Sequence, residues 1–204
     1  HAELLREGGI RIGRTSRPQP VQHQGARAHE GVEHAHPGFG VRVPAVQEQA
    51  VCQVEAAAAH DAAVCLMHMQ GGPGTMQADP RYGDVVAEVR DFLAQRVAAA
   101  QAAGMPTERI IVDPGFGFGK RLAHNLALLR QLGRFCDLGA CVLAGLSRKS
   151  MLGEITGRKV SLRDTASVAA ALLAARNGAR ILRVHDVAAT KDALAVWTAV
   201  DNQE

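Results

Sequence analysis

Four short apolar runs, each ending in a cluster of polar residues, limit what this chain can fold into more than any other feature of its sequence. The runs are rich in β-branched residues or Leu. Their apolar residues are continuous rather than alternating, which predicts strands that are buried on both faces. In chain order the runs are AAVCLMHMQG (62–71), RIIVDPGFGFGK (109–120), ACVLAGLSRKS (140–150) and ARILRVHDV (179–187).

Segments with helical periodicity lie between and after these runs. The first predicted helix follows Asp84, which can cap its start, and ends before Gly104. Three shorter helices are predicted: one closed by Gly133, one from Asp164 or Thr165 to Gly178, and one from Thr190 with Asp192 in its first turn. Strand and helix alternate at roughly 30–45 residues per unit, which is typical of parallel β/α folds. Four such units are half of a (β/α)8 barrel, and ligands bind just past the strand ends in such folds.

The cluster after the second run contains a carboxylate and a glycine-rich turn. Asp113 follows a fully apolar strand, so its side chain is expected at the mouth of the sheet. Gly115, Gly117 and Gly119 allow the backbone to approach a ligand closely. The pattern differs from a nucleotide phosphate loop, because only three residues separate Gly115 from the Gly-Lys pair and Arg121 follows it.

The clusters after the last two runs are rich in cations. Ser147, Arg148, Lys149 and Ser150 could receive an anion, and a basic surface turn is an equally good interpretation. In RVHDV, Arg183 and His185 are two residues apart in an extended strand and therefore share a face. A structural pair between an Arg and an Asp is the alternative. The methionines of CLMHMQG are interpreted by default as core residues.

Residues 1–60 have a different composition. They contain no Asp, Asn or Lys and show neither strand nor helix periodicity, except that 45–60 could form a helix. A disordered arm, a divergent segment and a shifted reading frame are the three explanations, and our hypothesis is the third. An intact single reading frame in the coding DNA would remove this hypothesis.

The histidines of this segment lack acidic or Cys partners, so a solvated coil is favoured over a metal site; they are His23, His29, His34 and His36.

Composition excludes several classes of function. A formal net charge of +3 over 204 residues is too small to indicate a nucleic-acid surface. No apolar run reaches the length of about 18 residues that indicates a transmembrane helix, and the N-terminus has no signal-peptide pattern. The cysteines have no metal-site spacing and two lie in apolar runs, which predicts reduced, buried thiols; they are Cys52, Cys65, Cys136 and Cys141.

Taken together and in order, the motifs closely resemble those of strands five to eight in dihydropteroate synthases. They are LMHMQGGPGTMQADPRYGDVVAEV, DPGFGFGK followed by HN, GLSRKS and RVHDV. The resemblance covers about residues 61–198. It implies a fold of the (β/α)8 TIM-barrel type, incomplete here, with an unmatched segment at 1–60 and the C-terminal part of a pterin-binding barrel at 61–204.

The resemblance also implies a chemistry. The family condenses 6-hydroxymethyl-7,8-dihydropterin pyrophosphate with p-aminobenzoate and releases 7,8-dihydropteroate and pyrophosphate, assisted by Mg²⁺. It therefore implies a cytoplasmic transferase of folate biosynthesis that is a sulfonamide target and forms a homodimer. Asp113 is expected to bind the pterin N–H donors, Lys149 its acceptors, and Arg183 and His185 the pyrophosphate; Lys149, Arg183 and His185 are the expected catalytic residues. Ser147 lies where the family places p-aminobenzoate, and the other expected substrate-binding residues are Met67, Gly117, Phe118, Gly145 and Arg148.

The chain departs from the family pattern in its first part. The family's Asn for Mg²⁺ on strand one, Asp on strand three and Asn on strand four have no recognisable counterparts, since the asparagines are Asn125, Asn177 and Asn202. TSRPQP (15–20) matches the family's Ser-Thr-Arg-Pro loop only in part. Three hypotheses remain: an active synthase, an inactive truncated relative that at most binds pterin, and a pterin-dependent methyltransferase. The third is the weakest, because GLSRKS and RVHDV fit the synthase better.

Overall fold

In the part of the chain that the structure describes, five parallel strands form one sheet in the order β1-β5-β4-β3-β2. The structure is a computed structural model that describes residues 11–14 (backbone only), 54–72 and 74–201. The elements are β1 (Arg11–Arg14), α1 (54–59), β2 (Val64–Met67), α2 (Val85–Ala102), β3 (Ile110–Asp113), α3 (Leu122–Arg130), β4 (Cys141–Ala144), α4 (Ser150–Thr156), α5 (Asp164–Arg176), β5 (Ile181–Val184) and α6 (Val187–Asp201). Every strand from β2 to β5 is followed by a helix, as the four-unit pattern predicts.

Helix α2 shows how local sequence sets the ends of an element. The Asp84 carboxylate accepts hydrogen bonds from the backbone N–H groups of Val86 and Ala87, at 2.9 and 3.1 Å. Gly104, just past the other end, has a φ of 86°, a conformation that glycine adopts without strain. Both predicted ends of this helix are confirmed.

Two predicted helix ends are wrong. Helix α3 stops at Arg130, and the chain continues as a 3-10 turn over Leu132–Leu138 that keeps Leu132 and Phe135 buried, so Gly133 does not close it. Helix α6 starts at Val187 rather than at Thr190, because the Asp186 carboxylate accepts the Ala189 N–H at 3.0 Å and caps the helix earlier.

The two faces of the sheet differ in burial. The helix-facing side chains of β3, β4 and β5 are at most 3% exposed, and those of β2 are half-buried. The former are Ile110, Val112, Val142, Ala144, Leu182 and Val184. On the opposite face Leu143 is buried, Ile111 and Ile181 are half-buried and Cys65 is exposed. The opposite face is therefore buried less completely than predicted, and the predicted burial of Cys65 is wrong because it lies on that face of edge strand β2.

Strand β1 was not expected, because no strand is predicted before residue 60. Its backbone pairs in parallel with β5, with Gly13 opposite Arg183. Four residues are too few to show a period, and the backbone of β5 supplies the pairing partner whatever the side chains of β1 are. The helical residues 54–59 lie within the predicted segment 45–60.

Other interpretations of the N-terminal segment lie outside the described residues: the four histidines, TSRPQP, Cys52 and the nature of 1–60 as a whole. Among the helices that are described, none is long and apolar enough to cross a membrane.

Candidate active site at the carboxyl ends of the strands

Asp113 ends β3 and lies at the centre of the polar clusters. Its side chain is buried, and its two oxygens accept different donors. The Gly115 N–H donates to Oδ1 at 2.8 Å, and the Arg183 guanidinium donates to Oδ2 through Nη2 at 3.2 Å. A carboxylate has about four lone-pair sites, so both oxygens can accept further hydrogen bonds from a ligand.

Burial raises the pKa of the Asp113 carboxyl above its ordinary value. The Gly115 hydrogen bond and the positive charges of Arg183, Lys149 and Lys120 act in the opposite direction. The charge on Asp113 is therefore costly in the free protein, and a ligand that donates hydrogen bonds to it stabilises the ionised form.

Arg183 reaches Asp113 across the end of the intervening strand β4. A Cβ atom at Gly145, just past β4, would lie 2.7 Å from Arg183 Nη2, so the guanidinium takes this path because residue 145 has no side chain. Arg183 pairs with Asp113 and not with Asp186, whose carboxylate caps α6. The ion pair therefore joins the polar cluster after β3 to the one at the end of β5, and not two residues of the same cluster.

Lys149 lies beside the glycine-rich turn. Its ammonium is 3.9 Å from the centroid of the Phe118 ring, a cation–π contact, and its stem passes Gly117, where a Cβ atom would be 3.2 Å from Lys149 Cδ. Burial lowers the pKa of Lys149, the charge of Arg183 lowers it further, and Asp113 opposes both. The clusters of β3, β4 and β5 thus meet in one site.

Ser147 and His185 form a polar pair at the outer part of this site. His185 Nδ1 lies 2.8 Å from Ser147 Oγ, and the His185 backbone N–H donates to the same oxygen at 3.3 Å. Met67 is half-buried and lies opposite Asp113 in the β2–β3 pairing.

Arg148 makes different contacts from its neighbours. Its φ is 59°, its backbone N–H donates to Ser167 Oγ at 2.9 Å, and its guanidinium pairs with Asp164 at 2.9 Å. Its contacts tie the turn to the start of α5, while the expected role in substrate binding stays a prediction.

Two buried side chains of the site were missed. Lys120 donates to the carbonyls of Gly115 and Phe118, and Asn125 accepts the Gly117 N–H at 2.8 Å. Burial lowers the pKa of Lys120 to about 7, Asp113 opposes this, and the charge of Lys149 adds to it. Their positions in GFGFGK…HN were visible in the sequence, but no periodicity indicates that a Lys and an Asn turn inward.

The model of the family described as "Pterin binding enzyme" matches residues 45–185. The chain belongs to the pterin-binding enzyme family. The match begins before residue 61, where the recognisable motifs begin, and it includes the whole site.

Relatives of this pterin-binding chain include dihydropteroate synthases. That of Haemophilus influenzae is 54% identical over 139 residues, which are 68% of this chain and 50% of the relative. A crystal structure of dihydropteroate synthase from Stenotrophomonas maltophilia with active site-bound imidazole is 58% identical, with a TM-score of 0.72 over 74% of this chain and 57% of that one. The Xanthomonas albilineans enzyme in complex with 7,8-dihydropteroate is 53% identical, with a TM-score of 0.69 over 74% and 55%.

These matches confirm the fold class, an α/β chain corresponding to part of a TIM barrel. The chain spans about half the length of the curated relatives it matches.

Proposed function

We propose that this chain acts as a dihydropteroate synthase, joining 6-hydroxymethyl-7,8-dihydropterin pyrophosphate to p-aminobenzoate. The observation that carries the proposal is the buried carboxylate of Asp113. Its oxygens can accept further hydrogen bonds, and it lies beside two cations, Lys149 and Arg183. The similarity to a protein solved with 7,8-dihydropteroate supports it.

In this proposal Asp113 binds the pterin ring. The amino and ring N–H groups of a pterin form a pair of parallel donors, which a carboxylate accepts in a forked geometry that fixes the orientation of the ring. Lys149 donates to the acceptors of the same ring, and Met67, Gly117 and Phe118 wall the slot. The Gly115 N–H and Arg183 hold the carboxylate in place before the ligand arrives.

The cations take the leaving group. Arg183 and His185 bind the pyrophosphate, and Arg183 also covers the pterin, which keeps positive charge next to the oxygen on which negative charge develops. Ser147, hydrogen-bonded to His185, lies where p-aminobenzoate is proposed to bind. Gly145 leaves room for the Arg183 guanidinium, and Arg148 holds the turn between β4 and α4 through its ion pair with Asp164.

The reaction is a substitution at the pterin methylene carbon. The C–O bond to pyrophosphate breaks with its electron pair leaving on oxygen, and the pterin ring delocalises the positive charge that remains. The neutral amine of p-aminobenzoate forms the new C–N bond and then loses a proton to the released pyrophosphate or to water. No strong base from the protein is needed for the attack.

Within residues 54–72 and 74–201 no three His, Cys, Asp or Glu side chains are grouped as a metal site made by the protein alone. Mg²⁺ is usually bound through few protein oxygens together with the phosphates of a substrate. We therefore propose Mg²⁺ only as a counter-ion that accompanies the pyrophosphate of the substrate.

The second candidate is a protein that binds pterin without turnover. The family's Asn for Mg²⁺ has no recognisable counterpart in the sequence. A chain of this kind that keeps Asp113 and Lys149 would bind pterin without turnover.

The proposed setting is a homodimer in the cytoplasm, sensitive to sulfonamides as mimics of p-aminobenzoate. Large apolar side chains of α5 and α6 are exposed and could support a contact between two copies; they are Leu173, Val196 and Val200.

The test is formation of dihydropteroate by the purified 204-residue chain with both substrates and Mg²⁺. Turnover that Asp113→Ala or Lys149→Ala abolishes supports the synthase. Pterin binding without product, from folded protein, favours the second candidate. Absence of both contradicts the proposal. Methyl transfer to a corrinoid would point to a methyltransferase instead.

A further inference from the structure

Two loops at the carboxyl edge of the sheet are packed backbone against backbone. The β2 loop consists of the described residues 68–72 and 74–82, and the glycine loop is 114–120. A Cβ atom at Gly115 would collide with the His68 carbonyl oxygen, and one at Gly119 would lie 2.5 Å from the Gln70 carbonyl oxygen. Both glycines also have positive φ, so the contact and the backbone conformation each require glycine.

A buried ammonium fills this contact. The Lys120 side chain is only 4% exposed, and its Nζ lies 3.0 Å from each of Gly115 O, Phe118 O and His68 Nδ1. The His68 carbonyl oxygen is a fourth acceptor at 3.5 Å, so the three donors of the ammonium all have partners. Among the described residues no carboxylate lies within ion-pair distance of Lys120.

This arrangement is unusual for a side chain that only fills space. Burying a charged amine is unfavourable, and Met would occupy a similar volume without that cost. The ammonium is therefore best explained by the acceptors it joins, two carbonyls of the glycine loop and two groups of His68 in the β2 loop.

The β2 loop is closed by hydrogen bonds of its own and forms further hydrogen bonds to the glycine loop. The Gln70 side chain forms two hydrogen bonds with the Arg81 backbone, at 2.7 and 3.0 Å, which close the loop on itself. From this loop the Tyr82 hydroxyl donates to Gly119 O at 2.8 Å, and the Gln77 amide donates to Gly117 O.

The glycine loop in turn holds the groups assigned to the pterin site. The Gly115 N–H supports the Asp113 carboxylate, Gly117 leaves room for the Lys149 stem, and the Phe118 ring lies beneath the Lys149 ammonium. A shift of the loop would move all of these contacts together.

We propose that Lys120 is a positioning residue for the pterin site, which fixes the glycine loop against the β2 loop so that Asp113 and Lys149 keep their ligand-binding geometry. The proposal rests on the proposed function, because the ligand is taken to be a pterin. Lys120 is buried and acts on the site indirectly, through its contacts with Gly115, Phe118 and His68.

The experiment compares the full chain with Lys120→Met and with Lys159→Met, a matched control at an exposed position. The probe is 6-hydroxymethyl-7,8-dihydropterin, titrated by calorimetry, with amide hydrogen exchange read on the same proteins. We expect Lys120→Met to weaken pterin binding about tenfold or more and to speed exchange at 115–119, while the amides of β3 and β4 stay protected. Lys159→Met should match wild type. The KM for the pterin substrate should rise more than that for p-aminobenzoate.

Unchanged pterin affinity in folded Lys120→Met overturns the proposal, as does faster exchange that extends equally to β3 and β4. If Lys120→Met does not fold, Tyr82→Phe tests the same contact by removing one hydrogen bond to Gly119. It should weaken pterin binding by about two- to fivefold and speed exchange at 115–119, and wild-type behaviour would overturn the proposal.

Asp113→Ala separates this inference from the proposed function. If wild type does not bind pterin, or if Asp113→Ala binds equally well, the proposed function fails. If Asp113→Ala abolishes binding while Lys120→Met leaves it intact, only the role of Lys120 fails.

Discussion

Asp113 is both buried and only partly supplied with hydrogen-bond donors. One donor comes from its own loop and one from Arg183, whereas a buried carboxylate can accept about four. Such a group can bind a ligand that has two parallel donors. Because the pKa of Asp113 is raised, binding of that ligand depends on the protonation state of the carboxyl.

The first prediction concerns the pH dependence of pterin binding. Protonation of Asp113 removes acceptor sites, so affinity should fall as the pH drops through the pKa of this group, which lies above its ordinary value of 3.8. Calorimetric titration with 6-hydroxymethyl-7,8-dihydropterin over a pH series measures this. Asp113→Asn should bind at least about tenfold more weakly near neutral pH.

The difference between the wild-type and Asp113→Asn profiles isolates the carboxylate, because protonation of the pterin itself is common to both. Asp137→Asn, at an exposed carboxylate, serves as the control and should follow wild type. A profile that Asp113→Asn leaves unchanged would contradict the assignment of Asp113 to the pterin.

His68 gives a second prediction at this scale. Burial, together with the charge of Lys120, lowers its pKa from 6.5 to about 4. Between these values the unfolded chain binds a proton at His68 that the folded chain does not, so the free energy of unfolding should fall as the pH drops from about 6.5 to about 4. The loss is on the order of 3 kcal/mol.

Urea unfolding of wild type and His68→Asn over this pH range measures the effect. Asn can still accept from Lys120 but does not titrate, so its stability should decline less with acid. His60→Asn, at an exposed position, should decline as wild type does. Parallel curves for wild type and His68→Asn would refute the assignment.

At the scale of elements, the ends of helices and strands decide where functional groups lie. The Asp84 cap starts α2 directly after the β2 loop, and Glu88 accepts the backbone N–H groups of Gly83 and Asp84 at 2.7 and 3.0 Å. The end of the β2 loop is therefore fixed by the start of a helix.

The third prediction is that Asp84→Ala lowers the free energy of unfolding by about 1 kcal/mol, because it leaves the N–H groups of Val86 and Ala87 without an acceptor from the protein. For a chain of this size that corresponds to about 2–4 °C in the unfolding midpoint. Asp91→Ala, exposed within the same helix, should stay within about 0.5 kcal/mol of wild type. Equal losses in both variants would remove the capping explanation.

The strands and the site edge were predictable from sequence because each buried strand is a short apolar run that stops at a polar residue. Asp113 and Lys149 could be placed at that edge on this basis alone. The pairing of Arg183 with Asp113 could not be predicted from the sequence. It depends on residue 145, just past the strand between them, being a glycine that leaves room for the guanidinium. Lys120 was missed because its burial is set by the fold of two loops, and β1 because four residues carry too little pattern.

At the scale of the whole molecule, the described residues form a sheet whose helix face is closed and whose opposite face is partly exposed. The site lies at the carboxyl edge, where Lys149 and Arg183 bring positive charge to a buried carboxylate. This charge distribution suits an anionic substrate.

The last prediction is that the fold does not depend on a metal ion, which is tested by removing divalent cations with EDTA from the full chain. The midpoint of thermal unfolding should change by less than about 1 °C, because a metal bound to the folded protein would stabilise it, and the described residues contain no group of three His, Cys, Asp or Glu side chains that could hold one. Binding of 6-hydroxymethyl-7,8-dihydropterin should also stay unchanged. Binding of the pyrophosphate substrate should respond to Mg²⁺, because the ion accompanies the phosphates. A fall in the unfolding midpoint that Mg²⁺ reverses, without any substrate present, would instead place a metal site in the protein itself.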